Sequence, residues 1–215
     1  MLLMGRSPHS GLASMLASVA LLAACAGGPV VEVKPEQDVS EAIQIHSTGR
    51  VRSGFACCNL RYSGKLLSDA NYAQLPFIAI GTPVLIREIE GGQAIVEING
   101  KQMLLRPDIA QSKVTPAQWL DKSVLADDPR PKLEKLPPGV RAAILSGRLT
   151  KGMTREQAIM AMGYPQADDK KGLDAPNWRY WWSSYVPYYV YWSGNKLGRI
   201  DGQGEVVGAV TYKDR

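Results

Sequence analysis

The stretch PVLIREIEGGQAIVEINGKQMLL, residues 83–105, decides how the middle of this chain folds. Apolar and polar residues alternate from Pro83 to Ile89, break at Gly91-Gly92, alternate again from Ala94 to Ile98, break at Asn99-Gly100 and resume from Lys101 to Leu105. Alternation is the two-residue period of a strand with one buried face. Asn-Gly between such runs is the strongest short hairpin signal, because both central residues of a type I′ turn need positive φ. Two hairpins in succession make a meander of three strands. On the N-terminal side, residues 51–62 add a further strand, and an irregular loop passes through Asn71 and Pro76. The expectation for residues 49–110 is a small SH3-like β barrel, or a plain meander lying on a second, C-terminal domain.

On the C-terminal side, residues 111–138 read as a connector. A short helix is expected over 115–125, after which Asp127-Asp128-Pro129-Arg130-Pro131 and Pro137-Pro138-Gly139 punctuate the chain. Proline cannot continue a helix and restricts the residue before it. The acid pairs Asp127-Asp128 and Asp168-Asp169 lie in loops and read as solvated, not as acid/base machinery. From residue 139 the pattern becomes helix, helix, then strands. Val140, Ala143 and Ile144 form one apolar face, stopped by Gly147. Thr154-Arg155-Glu156-Gln157 is a capping box, with Ala158, Ile159 and Met162 on the buried face and Gly163 and Pro165 ending the helix. Residues 177–184, 186–192 and 205–212 are rich in Trp, Tyr and Val and read as a three-stranded antiparallel sheet.

Ahead of the β segment lies a region of different character. Arg6 precedes an apolar run from Gly11 to Ala24, and Leu22-Ala23-Ala24 leads into Cys25. A charged n-region, a short apolar stretch and small residues before the cut are the parts of a signal peptide, read here over residues 1–24. The run falls short of the roughly 20 apolar residues of a spanning helix. Leu-Ala-Ala-Cys resembles the lipobox of bacterial lipoproteins. That resemblance implies removal of residues 1–24, acylation of Cys25 with diacylglycerol and a fatty acid such as palmitate, and membrane anchoring. Ala26 stands where the inner-membrane retention signal would place Asp, which implies the periplasmic face of the outer membrane. Residues 25–48 have no sustained period and read as a flexible tether.

Charge is uneven along the 215-residue chain, whose formal net charge is +5. Residues 25–131 carry 11 Lys+Arg against 12 Asp+Glu, while residues 132–215 carry 13 against 8. A basic half in the periplasm faces anionic lipid or acidic protein; no nucleic-acid partner is expected. Of three cysteines, Cys25 is taken by lipid, leaving adjacent Cys57 and Cys58. They read as buried thiols, with a vicinal disulfide or a metal site with His46 as alternatives.

Enzymatic chemistry has little support. With His9 in the signal segment, His46 is the mature chain's one histidine, and no HExxH, Walker loop, G-x-S-x-G or repeated Cys/His spacing occurs. No cofactor, metal or catalytic residue is assigned.

Lys151-Gly152-Met153-Thr154, then Gln157, Gly163, Pro165, Trp178 and Tyr180, in ααβββ order over residues 139–215, resemble the BamE-like (SmpA/OmlA) lipoprotein domain. The resemblance, with Asn59-Leu60-x-Tyr62 and Gly81-Thr82-Pro83-Val84 further upstream, implies an α+β protein: an SH3-like β module, then two helices packed on three strands. It also implies a non-enzymatic, lipid-anchored scaffold in outer-membrane protein assembly or envelope integrity. Its partners would be the outer-membrane leaflet and an envelope protein complex such as the β-barrel assembly machinery. The alternative is a lipoprotein that binds peptidoglycan or anionic phospholipid. Trp178, Tyr180 and Trp182 share one face of their strand, with Arg179 and Trp181 on the other. Together with Gly152, Met153 and Thr154 they form the candidate partner surface, and the sequence leaves open which strand face points outward.

Overall fold

The computed structural model describes residues 52–108, 114–166 and 172–213; the segments read from the sequence as signal peptide (1–24) and tether (25–48), with Cys25 and His46, lie outside them. All described residues belong to one compact unit.

Eleven strands and five short helices succeed one another along the described residues. Strands β1 (Arg52–Ala56), β2 (Leu60–Ser63), β3 (Leu66–Leu67), β4 (Phe77–Ile78), β5 (Pro83–Glu90), β6 (Gln93–Ile98) and β7 (Lys101–Leu105) come first. Helix α1 (Pro116–Ser123), strand β8 (Val124–Leu125) and helices α2 (Arg130–Glu134), α3 (Pro138–Leu145) and α4 (Arg155–Met162) come next. Strands β9 (Asn177–Ser183), β10 (Val186–Ser193), β11 (Lys196–Asp201) and helix α5 (Gly204–Val210) close the order.

Both expected hairpins are present, with Glu90 opposite Gln93 and Ile98 opposite Lys101. The two residues between each pair have positive φ: Gly91 and Gly92 in one turn, Asn99 (52°) and Gly100 (71°) in the other. The surrounding architecture differs from the expected fold class. Instead of a small SH3-like barrel followed by a BamE-like ααβββ domain, the chain forms an eight-stranded, curled mixed sheet in the order β4-β2-β3-β7-β6-β5-β1-β8, plus a separate sheet in the order β11-β10-β9. One pair, β3 with β7, is parallel. Both edges of the large sheet are two-residue strands, which limits the backbone left open to pairing with another chain.

Two local causes produce the difference. Residues 51–62 do not form one strand. Cys57-Cys58-Asn59 makes a corner, because the Cys57 amide donates to the Ser123 carbonyl (2.9 Å) and the Asn59 amide to Met160 (3.1 Å). β1 therefore pairs with β5 and β8, while β2 is diverted to β3 and β4. Secondly, the segment 205–212 does not supply the third strand: Gly204–Val210 form α5. Their valines suit a strand by propensity, but Val206 and Val210, one helical turn apart, both reach the core. Tertiary burial overrides the local preference. The third strand of the small sheet is β11, a segment with Lys196 and Gly198, no aromatic residue and Ile200 as its single β-branched one, so it lacks the run of Trp, Tyr and Val that marks its neighbours in the sequence.

Two apolar clusters hold the unit together. One fills the curled sheet around Leu60, Val96, Leu105 and Leu120. The other lies between the small sheet and the helices, around Ile144, Met153, Met162, Trp178 and Tyr188. Ile159 packs against both.

Between the clusters sit three buried polar side chains, Asn59, Arg61 and Asn71. The last turn of a helix leaves carbonyls without helical partners. In α4 each is satisfied: Ile159 by the Gly163 amide, Met160 by the Asn59 amide, Ala161 by Asn59 Nδ2 (3.0 Å) and Met162 by Asn71 Nδ2. Asn59 Nδ2 also donates to Ile144 in the last turn of α3 (2.6 Å), and its Oδ1 accepts from the Ile80 amide (3.0 Å). Arg61 donates to the Leu75 and Gly147 carbonyls and stacks over Phe77, and desolvation lowers its pKa from the ordinary value. The segment after the Cys57-Cys58 corner is thus the C-terminal cap of two helices that lie some 80 to 100 residues further along the chain.

Candidate functional site

The small sheet sorts its aromatic residues by strand alternation. Directly opposed residues of antiparallel strands share a face. One set of rows reads Trp178-Val190-Ile200 and Tyr180-Tyr188; the other reads Asn177-Tyr191-Arg199, Arg179-Tyr189-Asp201 and Trp181-Pro187. Trp178, Tyr180, Tyr188 and Val190 are buried, so the first set is the inner face. There Tyr180 stacks on Tyr188 (centroids 5.6 Å apart, planes at 16°), and Trp178 meets Trp192 edge-on at 4.5 Å. Tyr180 donates to the Gly163 carbonyl (3.1 Å), whereas the Tyr188 hydroxyl has no hydrogen-bond partner among the described residues. Burial pushes both phenols well above their ordinary pKa.

The outer face carries the chemistry that solvent meets. Arg179 and Arg199 are exposed, and Trp181, Tyr189 and Tyr191 are half-buried. Each arginine lies over a ring: Arg199 is 3.9 Å from the Tyr191 centroid and Arg179 is 5.4 Å from that of Trp181. Arg199 also pairs with Asp201 at 3.3 Å, and Trp181 Nε1 donates to Gln166 Oε1 at 3.0 Å. At the β9–β10 turn, Tyr185 is 92% exposed. Rings ordered by cation–π and hydrogen-bond contacts, beside guanidinium groups with spare donors, form a surface able to cover apolar groups while binding a carboxylate or phosphate.

The sequence-derived residues divide across this geometry. Arg179 and Trp181 lie on the outer face. Trp178 and Tyr180 lie in the core, and Trp182 packs against that core. Met153 is fully buried. Gly152 and Met153 bond to Leu197 of β11 through their backbones (2.9 and 2.8 Å), and Thr154 with Gln157 closes a complete capping box on α4. Gly152-Met153-Thr154 therefore joins the helix to the sheet edge, apart from the outer face. Sequence reading missed Tyr189, Tyr191 and Arg199. The alternation of β10 would have placed both tyrosines opposite Tyr188 and Val190, but Arg199 needed the β11 register.

A second feature is a cleft of about 490 Å³ between the connector and α4, lined by Cys57, Lys132, Arg155, Met160, Tyr164 and Trp178, among others. Arg155 is held at its wall: its guanidinium lies 5.2 Å from Trp178 and 4.7 Å from Trp192 and donates to the Leu173 and Ala175 carbonyls. Cys57 and Cys58 are joined by a vicinal disulfide, in place of the expected pair of thiols.

Among the described residues no group of three or more His, Cys, Asp or Glu is placed to hold a metal ion, and no helix is long and apolar enough to cross a membrane. No family model matches the chain, and no curated protein or solved structure matches it.

Proposed function

We propose that this protein is a non-enzymatic, lipid-anchored scaffold at the periplasmic face of the outer membrane that holds an envelope protein partner on the outer face of its small sheet. The observation that carries the partner surface is the arrangement of Arg179, Trp181, Tyr189, Tyr191 and Arg199 on one exposed face whose opposite side is fully occupied by core. Trp, Tyr and Arg dominate the energetics of protein interfaces, because large rings and planar guanidinium groups lose little entropy for the area they cover. Anchoring rests on Leu22-Ala23-Ala24-Cys25. The reading does not depend on a BamE-like fold.

Trp181→Ala and Arg179→Glu should release the partner captured by in-envelope crosslinking while shifting thermal stability little. Trp178→Ala, on the inner face, should cost about 3–5 kcal/mol of stability. Unchanged crosslinks in both outer-face variants would overturn the assignment. Cosedimentation with purified sacculi or anionic vesicles, lost in the same variants, would move the surface to the alternative ligand class. Mass spectrometry of the mature N-terminus should find acylated Cys25; an unmodified N-terminus at another residue would remove the anchor.

A further inference from the structure

We infer that Cys57–Cys58 is a thiol–disulfide exchange site, reached by a dithiol through the cleft beside α4, and that its redox state sets how firmly the large sheet caps α3 and α4. Three observations carry this independently of the partner surface. The two sulfurs are bonded to one another, closing a small ring through the peptide that joins the residues. Both belong to the core cluster of the curled sheet, but they are unequally placed: Cys57, 7% exposed, also lines the cleft, whereas Cys58, 1% exposed, does not. The ring also sits between two anchors, the Cys57 amide bound to Ser123 at the end of α1 and the Asn59 amide bound to Met160 in α4.

The exchange is fully balanced. A thiolate of the dithiol attacks Cys57 Sγ, forming a mixed disulfide and breaking the Cys57–Cys58 bond, and Cys58 leaves as a thiolate that takes a proton. The second thiol of the reductant then attacks its own mixed-disulfide sulfur, and Cys57 leaves and is protonated. Two electrons and two protons pass to the cysteines, and the dithiol departs as a disulfide. Lys132, Arg155, Glu156, Asp127 and Asp128 bring both signs of charge to the cleft, with Lys132 paired to Glu156. A neutral or mixed-charge loop bearing two cysteines, as in a Cys-X-X-Cys oxidoreductase, is the occupant that suits it.

Opening the ring releases the Cys57–Cys58 peptide from its constraint. The next residue, Asn59, holds the Ile144, Met160 and Ala161 carbonyls and the Ile80 amide. A change at the sulfurs therefore reaches the ends of both helices through one residue.

The test uses the full chain, poised oxidised with glutathione disulfide, then treated without denaturant with a Cys-X-X-Cys thioredoxin, and alkylated. The tryptic peptide of residues 53–61 contains both cysteines and excludes Cys25. It should be unlabelled and free of glutathione before reduction and doubly labelled afterwards. Amide exchange at Asn59 and Ile80 should accelerate at least about tenfold on reduction. In single variants, Cys57 of Cys58→Ser should react with an aromatic disulfide reagent far faster than Cys58 of Cys57→Ser. Labelling or glutathionylation of the oxidised protein, reduction only in denaturant, or a reversed order of thiol reactivity would overturn the exchange site. Identical amide exchange in the two redox states would overturn the coupling. The wild-type measurements stand even if a variant fails to fold.

Discussion

Tyr180 and Tyr188 stack on one another at the centre of the small sheet, yet only one hydroxyl is used. Tyr180 donates to the Gly163 carbonyl, and Tyr188 Oη is buried without a partner among the described residues. A buried unpaired hydroxyl costs about 1–3 kcal/mol of desolvation, whereas a typical hydrogen bond contributes about 1 kcal/mol. Tyr188→Phe should therefore raise the free energy of unfolding at pH 7 by about 1 kcal/mol, and Tyr180→Phe should lower it by about that amount, both read from urea midpoints at constant m. The same pair sets an alkaline limit. Burial raises both folded-state pKa values, so above the unfolded tyrosine pKa of about 10 the folded state binds more protons than the unfolded chain. Their contribution is complete below that pH and is lost as pH rises beyond it. A urea midpoint that falls between about pH 9 and 11, and falls less in either Phe variant, is the expected profile.

At the scale of elements, α4 shows why some structure was legible in the sequence and some was not. Its N-terminus is a local code: Thr154 and Gln157, three residues apart, form the box that their spacing announces. The two hairpin turns are local in the same way, since Asn99-Gly100 supplies both positive φ values itself. The C-terminus of α4 is not local. Ala161 is capped by an asparagine 102 residues away, and no periodicity around Asn59 announces that role. Likewise α5 hides because Val206 and Val210 resemble a strand until their common burial against Leu149, Tyr188 and their neighbours is known. The outer face was half legible: alternation separated Arg179 and Trp181 from Trp178 and Tyr180, but which side is covered depends on helices that pack from elsewhere. Asn59→Ala should cost about 2–4 kcal/mol, because it strips two buried carbonyls and one amide of partners at once. Gly163→Ala should be comparably damaging, since Gly163 has φ 79° and an added Cβ would run into the Asn71 amide. Loss of amide protection concentrated in the last turns of α3 and α4 is the signature that separates Asn59→Ala from general destabilisation.

For the whole molecule, the cap at Asn59 and Asn71 ties the curled sheet to the helices that carry the small sheet. The connector between them looks like a boundary in the sequence, with Pro129, Pro131, Pro137 and Pro138 in close succession. In the fold it is part of the core: Leu133 is 4% exposed within the second cluster, and Val124-Leu125 supplies an edge strand of the first sheet. Cutting there would expose Asn59, Arg61 and Asn71 on one side and uncapped helix ends on the other, leaving polar groups arranged for partners that are absent. Residues 139–215 expressed alone should therefore lack cooperative unfolding by near-ultraviolet circular dichroism, while the intact chain should unfold in one transition coincident by tryptophan fluorescence and far-ultraviolet dichroism. Adding residues 49–138 in trans should restore the near-ultraviolet signal, because the missing caps and Leu133 return with them. A fragment 139–215 that unfolds cooperatively at the midpoint of the intact chain would show that the caps are dispensable.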